Sequence, residues 1–151
     1  MEEQLITLET AILAKEKSFD INCDWKIDKE SKLHFQADLM YPNNSEFTFN
    51  SYDDPEVHEF NKFIESLYEA PTQSLLQKWL REVHGIYVNS YHDLTPDAKS
   101  IQYYTDWGFI NDPSSADYKY CPNGGYDEEA IWKTYEEALE NGLQEALKLI
   151  K

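Results

Sequence analysis

Any chemistry this chain performs must draw on few residues. It holds four histidines, His34, His58, His84 and His92, and two cysteines, Cys23 and Cys121. Nucleophilic catalysis needs a hydroxyl or thiol beside an imidazole that an acid orients. His34 falls on the polar side of an alternating run and His58 on a helix flank. His84 stands at a helix end, where a partly positive imidazole suits the dipole, and His92 at a strand end. No serine lies in a nucleophile-elbow pattern, and neither cysteine has basic neighbours to lower its pKa. No H-E-x-x-H, EF-hand loop or C-x-x-C occurs. The acidic pairs Asp53-Asp54, Glu128-Glu129 and Glu136-Glu137 are adjacent in sequence, so their side chains diverge on a helix and face opposite sides of a strand. Five glycines leave little room for a phosphate loop or a dinucleotide fingerprint. We therefore expect no catalytic residue, no metal ligand and no cofactor.

The richest segment for recognition is "YYTDWGFINDPSSADYKYCPNGGY", Tyr103 to Tyr126, with seven aromatics, three aspartates and one lysine. Its middle, "GFINDPSSAD", reads as a loop. Loops carry function more often than cores do, and Tyr and Trp dominate binding hot spots. Trp107, Phe109, Asp112, Asp117 and Tyr118 are thus the candidate partner-binding residues, suited to a basic protein. The competing reading packs the aromatics of the strand portions against helices.

The elements that must position these residues follow from periodicity. Glu3 to Lys17 reads as a helix with Leu5, Leu8 and Ile12 on one face. "INCDWKID" and "KLHFQADL" alternate cleanly and predict a β-hairpin around Lys29-Glu30-Ser31. Its buried face would hold Ile21, Cys23, Trp25, Ile27, Leu33, Phe35, Ala37 and Leu39. A loop follows, with a short strand through Phe47 and Phe49. Asp54-Pro55 starts a helix striped by Val57, Phe60, Phe63, Ile64 and Leu67, which Pro71 ends. Thr72 caps the next helix, whose Leu75, Leu76, Trp79, Leu80 and Val83 face the core and whose stop is Gly85. Strands from Ile86 and Ser100 join at Thr95-Pro96-Asp97. "YKYC" runs into an Asn123-Gly124 turn, with a return strand through about Lys133.

The last helix opens with a Thr134–Glu137 capping box and carries Leu139, Leu143, Leu147 and Ile150 as its ridge. Gly142 at its centre costs about 1 kcal/mol relative to alanine. Ala138, Gly142 and Ala146 form a smooth strip that lets the helix backbone lie close against a neighbour; the competing reading is an exposed glycine that the helix merely tolerates. The fold class is α+β: a mostly antiparallel sheet from hairpins packed against three or four helices, in a single globular domain over residues 1–151.

Charge narrows the partners. The net charge is −16, from 29 acids against 13 bases. The acids are spread, 16 with 6 bases through Ala70 and 13 with 7 bases after it. Such a surface repels phosphate and anionic lipid, so we expect no direct nucleic-acid and no membrane contact. The two helices about Pro71 invite a helix-turn-helix reading, but Lys78 and Arg81 are the only cations on the second. No basic leader precedes an apolar run and no stretch is long enough to span a bilayer, so a cytoplasmic location with free thiols is expected. Acidity serves solubility in its simplest reading.

"APTQSLLQKWLREVHGIYV", "TYEEALENGLQEALKLI" and "TLETAILAKEKSFD" resemble blocks of small uncharacterised proteins of Bacteroides-group bacteria and their phages, in the same order. The segment between Asp106 and Asp127 is longer than the connection usual there. The resemblance implies a phage or mobile-element accessory protein and brings no catalytic residue. The expected function is non-enzymatic binding of a host or phage macromolecule, with inhibition of a host defence system as one use and DNA mimicry as its charge-led form. Two other classes remain. One is a small-ligand or enzymatic pocket between sheet and helices, holding a polar group such as His92 or Cys121. The other is a structural protein that self-associates through the small-residue strip.

Overall fold

A computed structural model describes residues 3–40, 55–94, 101–112, 114, 117–119 and 132–151. The expected strand through Phe47 and Phe49, the Asp54 cap, the turns at Thr95-Pro96-Asp97 and Asn123-Gly124, and Cys121 lie outside these residues. The fold is α+β, with two three-stranded antiparallel sheets. The chain divides into two compact units, one of residues 7–71, the other of residues 1–6 together with 72–151.

In the contiguous unit, α1 spans Leu8–Glu16. It starts later than the expected Glu3 because Thr7 takes extended dihedrals and its hydroxyl accepts from the Thr10 N–H. The hairpin forms, but its strands are short: β1 is Trp25–Ile27 and β2 is Leu33–Phe35. Asp28 Oδ1 accepts from the Glu30 and Lys32 amides at 2.8 and 3.0 Å and so shapes the turn. Ala37 and Leu39, expected on the second strand, instead belong to the short helix α2, Gln36–Met40. Helix α3, Pro55–Ser66, ends before Pro71, and the intervening Tyr68–Glu69 form β3, which pairs with β1 and completes the order β2-β1-β3. The core here is made of Ala11, Ala14, Phe19, Cys23, Ile27, Leu67 and Ala70.

In the discontinuous unit, an isolated bridge joins Leu5 to Thr72, so Leu5 sits in extended chain and not on the first helix face. Helix α4, Gln73–His84, has Thr72 as N-cap, and Gly85 ends it at φ 64° with its N–H on the Leu80 carbonyl. Leu76, Trp79 and Leu80 are buried as expected, but Val83 is 63% exposed. Strands β4, Ile86–Leu94, and β5, Ile101–Phe109, pair in register from Ile86↔Phe109 to Leu94↔Ile101. Strand β6, Asp117–Lys119, adds to β5 through Thr105↔Lys119 and Trp107↔Asp117. Phe109, expected in the loop, closes β5.

Helix α5, Tyr135–Leu149, lies on β4 and β5, with α4 against β4 and α5. The Thr134 hydroxyl accepts from the Glu137 N–H at 3.1 Å, while the Glu137 carboxylate takes the N–H of Lys133, one residue before the cap. Ala138, Gly142 and Ala146 are all buried. A Cβ placed on Gly142 would stand 2.8 Å from Val88 Cγ1 and closer still to Thr105 Oγ1. The glycine is the point where helix backbone meets sheet. The small-residue strip is consumed inside the chain and does not offer itself to a second copy.

Candidate partner-binding surfaces

Sheet alternation divides the aromatics of the discontinuous unit. Val88 and Thr105 meet Gly142, so residues of that parity, Trp107 among them, face α5. Trp107 is 4% exposed and belongs to the core, which removes it as a surface anchor. Phe109 is half-buried, and Asp112 is exposed beside Ile110, itself 48% exposed. Asp117 and Tyr118 stand on β6, at register positions opposite Trp107 and Asp106. The structure therefore keeps one end of the expected loop at the surface and withdraws its tryptophan.

The opposite parity forms the other face of this sheet, on which Tyr104 is buried. Three cross-strand pairs line it: Tyr87↔Gly108, Asn89↔Asp106 and Tyr91↔Tyr104. Tyr91 stacks on Tyr104 with ring centroids 5.7 Å apart and planes 26° apart. Tyr91 and Asn89 are exposed, Tyr87 and Asp106 half-buried. One oxygen of the Asp106 carboxylate, Oδ1, is shut off from solvent and has no hydrogen-bond partner. Sequence reasoning passed over Tyr91 and Asp106. The signal was present in "YVNSYH", where Tyr87 and Tyr91 recur four apart and must share a strand face.

The contiguous unit carries a second surface. Trp25, Ile27, Leu33 and Phe35 share one face of the hairpin. Only Ile27 is buried; Trp25 is 39% exposed, Leu33 43% and Phe35 38%, with the Trp25 and Phe35 rings 5.1 Å apart. The expected buried face is thus closed around Ile27 and open around its neighbours. The ionisable side chains of these strands are pinned on the reverse face. Lys26 pairs with Glu69, and His34 Nε2 lies 2.8 Å from Asp28 Oδ2 while its ring meets Phe63 edge-on. This partner holds the Asp28 carboxyl below its ordinary range.

The polar groups that a catalytic reading would use lie apart. His92 is exposed at the β4 end, with Tyr103 as its ring neighbour at 6.2 Å. Cys23 is buried, and burial first, then the Glu69 charge, pushes its thiol up to about 11, away from thiolate chemistry. His84 packs edge-on against Trp79 at 4.4 Å. The buried Glu140 accepts from Gln73 Nε2 at 2.8 Å, and the same amide donates to the Glu136 carbonyl, a contact that ties α4 to α5. Among the described residues no three His, Cys, Asp or Glu side chains are placed to hold a metal ion, and no helix is long and apolar enough to cross a membrane.

No protein-family model, curated protein or solved structure matches this chain.

Proposed function

We propose that this protein is a non-enzymatic accessory protein that binds a basic macromolecule, most simply a host or phage protein, in the cytoplasm. The observation that carries this reading is the hairpin face of Trp25, Leu33 and Phe35, three large apolar side chains standing exposed together in a chain of charge −16. Single exposed apolar residues are ordinary; an exposed tryptophan adjoining a phenylalanine is the aromatic enrichment of interface cores, with the tryptophan as the favoured hot-spot anchor. A field of carboxylates around such an anchor steers a cationic partner toward it and repels nucleic acid and anionic lipid. The resemblance to proteins of Bacteroides-group bacteria and their phages favours a mobile-element origin, in which inhibiting a host defence system is a natural use for such binding.

The test is a pull-down from host lysate with wild-type protein and the Trp25→Ser variant, at low and high salt. The expected result is one stoichiometric basic protein, captured by the wild type and lost with the variant. Loss in high salt regardless of Trp25 would shift the reading to pure charge mimicry of DNA. An empty capture at both salt concentrations would overturn it.

A further inference from the structure

The last helix places a chemically labile bond at its most closely packed point. Gly142 is fixed by contact, since a Cβ there would collide with Thr105 Oγ1 and Val88 Cγ1. The residue before it is Asn141. In an Asn-Gly pair no side chain shields the glycine nitrogen and the backbone rotates freely. In an open chain this nitrogen therefore attacks the carbonyl carbon of the asparagine side chain. The new C–N bond closes a cyclic imide, and ammonia leaves. Water then opens the imide at either carbonyl. One opening gives aspartate; the other gives isoaspartate, in which the main chain runs through the former side chain.

Helix α5 prevents the attack. Both residues lie in its interior, so helical dihedrals hold the Gly142 nitrogen away from the Asn141 side chain. Its N–H is committed to the helical ladder, with Ala138 at the acceptor position. Neither product fits the place that asparagine leaves. Asn141 Oδ1 is shut off from solvent and has no hydrogen-bond partner, so an aspartate would set charge where no donor meets it. Glu137 and Glu145 stand one helical turn to either side, and like charges at that spacing repel. Isoaspartate adds a carbon to the main chain. That breaks the i→i−4 repeat and takes Gly142 out of the register that seats it against Thr105 and Val88.

We propose that Asn141–Gly142 is a fold-gated deamidation site. The bond is silent while α5 is seated, and time spent with α5 detached converts the chain irreversibly into one that cannot seat it again. The protein thus carries its own limit on reuse after unfolding, whatever partner it binds.

The experiment incubates the full chain in mildly alkaline buffer, with and without guanidinium chloride. Proteolytic peptides are assayed by mass for amide-to-acid conversion and separated into aspartyl and isoaspartyl forms. Asn123–Gly124, the other Asn-Gly pair of the sequence, reports the rate of an unprotected pair in denaturant. There Asn141 should convert as fast as Asn123. In native buffer Asn141 should convert at least about a hundredfold more slowly than in denaturant, because only the unfolded fraction reacts. After dilution from denaturant, refolded and unfolded chains are separated by size exclusion, and products at Asn141 should collect in the unfolded fraction. Asn141→Gln, which lacks the rapid ring closure, should lose refolding yield more slowly than wild type over the same incubation; Asn141→Ser serves if glutamine does not fit. Conversion of Asn141 in native buffer at the denatured rate would overturn the proposal. So would products at Asn141 spread equally between refolded and unfolded chains.

Discussion

Replacing Gly142 by alanine tests the closest contact in the fold. On propensity alone the change should stabilise α5 by about 1 kcal/mol. Against this, the new methyl would sit 2.8 Å from Val88 Cγ1, 3.2 Å from Thr105 Cβ and nearer still to Thr105 Oγ1. That hydroxyl cannot simply rotate away, because it donates to the Asn89 carbonyl at 3.0 Å and is buried under the helix. Overpacking of this kind costs about 1–3 kcal/mol, and a lost hydrogen bond adds about 1 kcal/mol. The net expectation is a destabilisation of about 1–3 kcal/mol. With a urea slope of about 2 kcal/mol per molar, the midpoint falls by about 1 M. Thr105→Ala removes the nearest atom, so the same glycine change should cost less in that background, leaving a measurable coupling between the two sites. A Gly142→Ala variant more stable than wild type by the propensity difference would refute the close-approach argument and return the glycine to a merely tolerated one.

Further outcomes follow from the caps and titrating groups. Gly85→Ala should cost about 1–2 kcal/mol in urea unfolding although no atom lies near the added methyl, because the strain is purely that of φ 64°; Gly85→Asn should cost less. Asp28→Asn should lower stability at neutral pH. Because the folded-state pKa of Asp28 is depressed, its contribution is present above the unfolded value near 3.8 and is lost as pH falls through the lower folded value, so the two proteins should converge in acid. A gap that persists there would assign the loss to the turn amides alone. In a Cys121→Ser variant, Cys23 should resist iodoacetamide at pH 8 until denaturant is added, since burial holds its thiol near 11. Labelling of the native protein at the denatured rate would contradict that burial.

What could be read from the sequence was what neighbours along the chain decide. Thr72, Gly85 and Thr134 each mark a helix end because a cap is settled within four residues, and all three fall where expected. The β4–β5 alternation is equally local, as each strand is long enough to display it. The misses arise where tertiary context overrides pattern. The run from Lys32 to Leu39 alternates to its end, yet Gln36 onward coils into α2. Two residues, Tyr68 and Glu69, make a strand only because β1 offers them partners. Trp107 suits an anchor by its type and its position near a loop, but parity within β5 places it under α5, and parity can be assigned to a face only once the covering helix is located. The same ambiguity concealed Tyr91 and Asp106 on the reverse side.

The bridge between Leu5 and Thr72 has a consequence for how the chain is made. The contiguous unit lies wholly between these two residues, so it interrupts the other unit in sequence. On a ribosome it emerges complete and can fold while synthesis continues. The discontinuous unit must wait for Tyr135–Leu149, which cover its sheet and are made after both of its long strands. At about 5–20 residues per second this delay is on the order of seconds. During it β4 and β5 stand without their helix, and the apolar side that α5 later covers is open to chaperones or to premature association.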